Sequence, residues 1–280
     1  MERIKKEFKH LFELIAEPEM KVLPGHLAFF TFLSIIPIIT LIGAISTLFK
    51  VSLNSFINTM QGVLPLEVSS ILVPVINGEG LTTTLGISMI VVFFLASNGT
   101  HSIIVAANTM YGIKHSNYLS RRIKALVLIV LLVLLVVFNL IVLAFGNYIM
   151  NWILDLKFLS HISGALYQIF ILLKWPFALL IVFFIIKLIY TISPDSKIPS
   201  MYTNKGAIFT TIGWSLATII YSFYVTNFTN YNLFYGSLTN IIIMMIWIYL
   251  LSYILMFGMA INASSYKIEQ EKIELDKKEK

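Results

Sequence analysis

The sequence predicts an all-α integral membrane protein with six transmembrane helices and both termini in the cytoplasm. Three observations predict this fold class: the composition, the long segments without charge, and the distribution of Lys and Arg between the connecting segments. The chain is 58% hydrophobic and only 12% charged, with a mean hydropathy of +0.86. Soluble domains are about one quarter charged, so this chain lacks enough polar surface to cover a globule in water.

Long uncharged segments give the predicted spans. Five segments lack charge or hold a single lysine: 22–49, 80–113, 125–154, 158–186 and 206–266. About 20 apolar residues cross a bilayer, so each of the first four supplies one crossing and the last supplies two. The predicted spans are 23–49, 84–110, 124–152, 164–190, 205–227 and 237–263, within a transmembrane domain of residues 22–266.

Basic residues alternate between the connecting segments. The N-terminal segment 1–21, the second and fourth connections and the tail 267–280 together hold 17 of the 20 Lys and Arg residues, when Lys124, Lys187 and Lys205 at the adjoining span ends are counted with the connections. Basic connections stay on the cytoplasmic side of a membrane, so segment 1–21 and the charged tail are both predicted to be cytoplasmic. An even number of spans requires the same result. This distribution accounts for the net charge of +6 without a nucleic-acid partner.

The first external loop, residues 50–81, is predicted to form short amphipathic helices. Apolar residues recur at helical spacing on either side of Pro65: Leu53, Phe56, Ile57, Met60, Val68, Ile71, Leu72 and Val75. The simpler interpretation is a cap on the outer membrane surface. The alternative is an external lid or re-entrant gate.

Two prolines predict kinks inside spans. Pro37 in the first span leaves the carbonyl of Leu33 without its helical donor, and Ser34 and Thr31 are near enough in sequence to compensate. Pro176 in the fourth span frees a carbonyl one turn earlier in the same way. We therefore expect a bent first helix and a bent fourth helix.

Lys174, two residues before Pro176, is a charged residue well inside a predicted span. Ionisable groups at membrane depth tend to mark a solute pathway, so Lys174 is a candidate ligand for an anionic head group or phosphate. The alternative is snorkelling. If the hydrocarbon begins near residue 168, Lys174 lies about 9 Å from the outer interface, and its stem spans most of that distance.

The second predicted span carries a polar stripe formed by Ser97, Asn98, His101 and Asn108. At about 100° per residue, Ser97, His101 and Asn108 fall within about 40° of one another. Such a stripe is expected to face other helices rather than lipid. The simpler interpretation is hydrogen bonding between helices. The alternative is that the stripe lines a conduit, with His101 as its titratable member.

Three blocks of the sequence are distinctive: GHLAFFTFLSIIPI at 25–38, IYTISPDSKIPSMYTNKGAI at 189–208 and YGSLTNIIIMMIWIYLLSYILMFGMAIN at 235–262. Together they resemble the YihY/BrkB family of bacterial inner-membrane proteins, some of which have been labelled ribonuclease BN. The Lys174-Trp175-Pro176 step is similar to a basic-aromatic step of many relatives. The resemblance implies a six-helix bundle in the cytoplasmic membrane with both termini inside. Where the family usually has Gly-Ala-Glu, this chain has Ala260, so proton coupling through that carboxylate is not expected.

The residues favour transport over enzymatic activity. Metal-dependent nucleases need clustered carboxylates or histidines, and the five histidines show no ligand spacing. No catalytic residue, metal or cofactor is therefore predicted. We expect a transporter or flippase of a small or amphipathic anionic solute, lipid or lipid-linked precursor, in contact with the bilayer. The alternative is a non-transporting scaffold or modulator of envelope assembly. A homo-oligomer is left open.

Overall fold

The computed structural model describes residues 2–48, 85–130, 163–228 and 239–278. Every regular element in these ranges is a helix, and they contain no strand. The predicted external loop 50–81 lies outside the described residues, as does most of the predicted third span. The helical fold class is confirmed for the described part of the chain, and the number of membrane crossings stays a prediction.

Seven helices are described, together with a short 3-10 turn before the sixth. They are α1 (Glu2–Ala16), α2 (Pro18–Leu48), α3 (Leu85–Tyr111), α4 (118–130), α5 (Ser163–Ile192), the turn (Ser200–Thr203), α6 (Asn204–Phe228) and α7 (Thr239–Lys278). α2 begins five residues before the predicted span because Pro18 occupies its first position. Proline suits the first turn of a helix, where its missing N–H would have no partner.

α7 is the centre of the bundle and packs against α1, α2, α3 and α6. It is 40 residues long and runs without a break through the charged tail to Lys278. α1 lies along this far part of α7, where Lys6 Nζ donates to Glu271 Oε2 at 2.5 Å. The two ends of the chain therefore lie side by side.

The core lies between α1, α2, α3, α5 and α7. Its fully or nearly fully buried side chains include Met20, Ile104, Ile186, Met256 and Met259. Ala260 is fully buried in this apolar cluster. A small apolar side chain fits here because the site packs several helices together.

α6 and α7 meet through a close contact at Gly206 and Gly258, which we call the glycine contact. A Cβ added at Gly206 would come within 3.0 Å of the Gly258 carbonyl oxygen and of the Asn262 amide. Asn262 Oδ1 accepts the N–H of Gly206 at 2.7 Å. Tyr190 of α5 joins the contact, because its hydroxyl donates to the Leu255 carbonyl at 2.6 Å and lies 2.7 Å from Thr210 Oγ1. Small residues let helices approach this closely.

The outer faces of α5 and α6 are apolar and exposed. On α6 the exposed apolar side chains recur once per turn: Ile208, Ile212, Leu216, Ile219 and Phe223. A soluble protein would place polar residues on such a face, whereas lipid solvates an apolar one. Two helices among the described residues are long and apolar enough to cross a membrane, Ser200–Tyr224 and Ile241–Lys278, and Pro176–Ile192 is a shorter apolar stretch.

Candidate functional site

The polar face of α3 forms hydrogen bonds with three other parts of the chain, and we call this set of bonds the polar seam. It contains Asn98, Ser102 and Asn108 of α3 with the side chains His26, Arg122, Lys124 and Asp195. His101 lies on the same face of α3 without a bond in this set. Ser97, predicted to belong to the same stripe, is buried but donates to the Phe94 carbonyl of its own helix at 2.6 Å. It therefore contributes no bond between helices.

Arg122 of α4 reaches the middle of α3 and is only 7% exposed. One terminal nitrogen donates to Asn98 Oδ1, and the other donates to the Phe94 carbonyl at 2.9 Å. The guanidinium carbon lies 3.8 Å from the centre of the Phe94 ring, in a cation–π arrangement. In the described part of the chain, no carboxylate lies within ion-pair distance of Arg122.

His26 of α2 and His101 of α3 belong to the same region. Ser102 Oγ donates to the Asn98 carbonyl at 2.8 Å and also lies within hydrogen-bonding distance of His26 Nδ1. A hydroxyl has one proton, so His26 Nδ1 must be the donor in the second bond. The His101 ring packs edge-on against Tyr118, with centroids 5.9 Å apart. Its Nε2 is buried without a hydrogen-bond partner among the described residues.

Asn108 is fully buried, and the backbone that follows it explains its position. Gly112 has φ of 65°, in the left-handed region that favours glycine. The N–H of Gly112 donates to the Thr109 carbonyl at 3.1 Å, and that of Ile113 donates to the Asn108 carbonyl at 2.8 Å. This pair of bonds is a Schellman motif. It ends α3 just after Asn108 and turns the chain back along the seam.

Asn108 and Asp195 bind each other through two bonds. Asn108 Nδ2 donates to Asp195 Oδ2 at 2.6 Å, and the Asp195 N–H donates to Asn108 Oδ1 at 2.8 Å. The second amide hydrogen of Asn108 points to His115 Nδ1 at 3.2 Å. Asp195 stands here because α5 ends at Ile192 and Pro194 cannot continue the helix.

Asp195 is ionised in this environment. Ser116 N–H donates to Oδ2 at 3.1 Å, and Lys124 Nζ donates to Oδ1 at 3.3 Å and to the Ser193 carbonyl at 2.9 Å. Burial of the carboxylate, which is 8% exposed, opposes ionisation, but the bonds from Ser116, Asn108 and Lys124 outweigh it and lower the pKa of Asp195. The carboxylate thus joins the ends of α3 and α5 to the beginning of α4.

Three positions of α4 contact one short stretch of α3: Tyr118 packs on His101, Arg122 donates to Asn98, and the Ala125 carbonyl accepts from Thr100 Oγ1 at 2.8 Å. Arg122 lies at the end of the predicted second connection, and the structure buries it against α3.

The candidate residues of the first and fourth predicted spans lie outside the seam. Pro176 is inside α5, and the neighbouring side chains Leu172 and Phe177 are exposed. Lys174 occupies a position on the α5 backbone, and its side chain lies outside the described residues. The same holds for Pro37 on α2. Nearby, Ser34 donates to the Thr31 carbonyl at 2.6 Å.

Sequence reasoning missed Asp195 as a member of the site, although one signal was present. Asp195 is the only acidic residue between Asp155 and Glu269, and a lone carboxylate in such a stretch needs a partner. Its partners lie about 70 to 90 positions earlier in the chain. No local pattern indicates such a pairing.

A family model for virulence factor BrkB matches residues 11–280. The chain belongs to this family. The ribonuclease-like protein YfkH of Bacillus subtilis is 26% identical over 264 residues, which cover 92% of this chain and 94% of YfkH. A UPF0761 membrane protein of Vibrio parahaemolyticus is 27% identical over 276 residues, which cover 96% of this chain and 85% of that protein. No solved structure matches the chain.

Membership of the BrkB family agrees with the apolar helices described above. Relatives from Vibrio campbellii and Vibrio parahaemolyticus are both named membrane proteins. The chain is therefore a protein of the bacterial inner membrane.

Proposed function

We propose that the protein moves a small or amphipathic anionic solute or lipid across the bacterial inner membrane, as a transporter or flippase. The observation that carries the proposal is Arg122. Its guanidinium is buried against an amide, a carbonyl and an aromatic ring, with no carboxylate in ion-pair distance among the described residues. A buried charge without a counter-ion is costly, and an anionic substrate would supply the missing charge.

The bonds of the polar seam support the same proposal. Its long side chains, Arg122 and Lys124, bind acceptors on other elements and can exchange them without disturbing a helix backbone. Transport requires alternative arrangements of this kind. Lys174, the cation that the sequence places within a predicted span, is proposed to act at a second point of the pathway.

Flux in proteoliposomes tests the proposal. The full-length protein is reconstituted with fluorescent phosphatidylglycerol or fluorescent phosphatidylcholine in the inner leaflet, and externally added dithionite quenches the label that reaches the outer leaflet. We expect faster movement of phosphatidylglycerol than in empty vesicles, a loss of that movement in Arg122→Gln, and a decrease in Lys174→Ala. Lys114→Gln is the matched control, since Lys114 is an exposed lysine in the same connection. Wild-type rates equal to those of empty vesicles, for the lipid and for small anions, would contradict transport.

We propose that the chain is not an enzyme, although one relative bears a ribonuclease-like name. Metal-dependent RNA hydrolysis needs several ligands that converge on one or two ions. No three His, Cys, Asp or Glu side chains come together within 2–48, 85–130, 163–228 and 239–278. RNA incubated with the purified protein and Mg²⁺ or Zn²⁺ is expected to remain intact. Cleavage that Asp195→Asn abolishes would contradict this proposal.

A scaffold function is the second candidate, and the far end of α7 favours it. Residues 272–278 continue α7 as an exposed charged helix beyond the core, a form suited to docking another protein. Deletion of 273–280 leaves the Lys6–Glu271 pair in place. If this deletion causes the same envelope defect as loss of the whole protein, and Arg122→Gln does not, the scaffold function is favoured over transport.

A further inference from the structure

Buried nitrogens without partners occur on α3 and α4 near the contacts between these two helices. Three of them, Nε of Arg121, Nε of Arg122 and Nε2 of His101, have no hydrogen-bond partner within the described part of the chain, and both arginines are electrostatic neighbours of His101. Buried polar groups in native proteins are almost always bonded, so these three exceptions need an explanation. A bound acceptor would provide it.

The surroundings of these nitrogens are electropositive. Arg121, Arg122, His26 and His115 are the ionisable neighbours of His101. The carboxylate of Asp195 already accepts from Asn108, Ser116 and Lys124. The acceptor that fits this corner between α3 and α4 is therefore an anion from outside the described residues.

The corner between α3 and α4 contains a buried arginine that could bind a ligand, and it lies next to the protein surface. Arg122, more than nine-tenths buried, donates to Asn98 and to the Phe94 carbonyl, and its Nε has no acceptor among the described residues. Tyr118, whose ring borders His101, is 64% exposed, so the corner adjoins the surface of the described bundle. Three donors on three side chains suit a group with several oxygens, and Arg binds phosphate oxygens especially well.

We propose that His101, Arg121 and Arg122 form a binding site for the phosphate group of an anionic ligand. Arg122 anchors the phosphate, and Arg121 and His101 donate to its remaining oxygens. The proposal rests on the proposed function in that it names the ligand class and the site that a transported anion would occupy. The same chemistry fits a lipid head group or a free phosphate compound.

A binding measurement in detergent, where no flux can occur, tests the site. The full-length protein in dodecyl maltoside is titrated with inorganic phosphate at constant ionic strength, and the rise of its unfolding midpoint gives the affinity. In parallel, retention of phosphatidylglycerol and phosphatidylcholine is measured by native mass spectrometry. We expect saturable binding by the wild type. Arg122→Gln is expected to weaken it about tenfold, Arg122→Lys less, and the matched control Lys114→Gln less than about twofold.

The lipid arm separates the two sources of the phosphate group. Retention of phosphatidylglycerol without binding of inorganic phosphate supports a lipid head group, and binding of both supports a free phosphate compound. Wild-type affinity in Arg122→Gln, or no binding of either probe by the wild type, would overturn the site. If Arg122→Gln does not fold, Arg121→Gln and His101→Gln are judged by the same criterion.

The outcomes distinguish this inference from the proposed function. Phosphate binding that depends on Arg122, together with no flux in proteoliposomes, would uphold the site and overturn transport. Flux that persists in Arg122→Gln, with unchanged binding, would uphold transport and overturn the site.

Discussion

The polar seam of α3 and the glycine contact between α6 and α7 hold helices together in different ways. The glycine contact brings backbone atoms together and bonds them with neutral groups, Asn262 and Tyr190. The seam uses long charged side chains, and around it three buried nitrogens lack partners among the described residues. In the glycine contact one buried nitrogen, Asn262 Nδ2, lacks a partner among the described residues.

The difference separates a rigid part of the molecule from an adaptable one. A backbone that touches another backbone cannot shift without displacing a whole helix, because interiors are close-packed. Arginine and lysine can change acceptors by rotating about side-chain bonds. We therefore expect substitutions in the glycine contact to reduce stability, and substitutions in the seam to affect both stability and activity.

The largest expected effect is that of Gly206→Ala. The new methyl group would meet the Gly258 carbonyl oxygen, which is backbone and cannot rotate away. We expect the free energy of unfolding to fall by about 3 kcal/mol, measured by thermal unfolding in detergent. Gly25→Ala is the control, since its methyl group would find only Tyr249 at 3.8 Å. An equal loss in both variants would show that the glycine contact is not special.

The next effect is that of Lys124→Met and Asp195→Asn in the seam. Each leaves the other partner with an uncompensated, partly buried charge, so we expect a loss of about 2 kcal/mol. The double variant is expected to lose less than the sum of the single variants, because the two groups interact. Strict additivity in a double-mutant cycle would show that the 3.3 Å pair contributes nothing.

The pH dependence of stability follows from Asp195. Its pKa is lower in the folded protein than the ordinary value of 3.8. The carboxylate therefore contributes stability that is fully present above that ordinary value and is lost as the pH falls through the lower folded value. We expect a steeper loss of unfolding midpoint below about pH 4 in the wild type than in Asp195→Asn. Parallel curves would contradict the assignment.

A smaller effect is expected for Tyr190→Phe. The change removes a hydroxyl that bonds the Leu255 carbonyl and Thr210 but keeps the ring. We expect a loss of about 1 kcal/mol with flux unchanged, because this bond belongs to the rigid part of the molecule. A selective loss of flux at unchanged stability would place Tyr190 in the transport machinery instead.

The smallest effect is expected for Lys6→Ala. Lys6 and Glu271 are exposed, and pairs of this kind contribute less than about 1 kcal/mol. We expect a change of about 0.3 kcal/mol at low salt that disappears at high salt, since salt screens exposed charges. A larger loss that salt leaves unchanged would show that α1 depends on this contact for docking.

The helices and the inward orientation of the α3 stripe could be predicted, but the partners of the stripe could not. The spacing of the polar residues and the hydropathy of the segment depend only on neighbours in sequence. These two properties predicted that Asn98 and Asn108 face other helices. The partners Arg122 and Asp195 come from separate connections whose paths are set by tertiary packing. The burial of Arg122 could not be predicted either, because a count of basic residues in a connection gives no information on the exposure of each side chain.

The length of α7 gives the molecule a mechanical property. Forty residues extend about 60 Å, twice the roughly 30 Å of hydrocarbon in a bilayer. The helix contains no proline, so it behaves as a single rod. A tilt of about 5° at Gly258 displaces Lys278, about 30 Å away, by nearly 3 Å. A rod of this length would therefore convert a small tilt near its middle into a larger displacement at the end where α1 is attached.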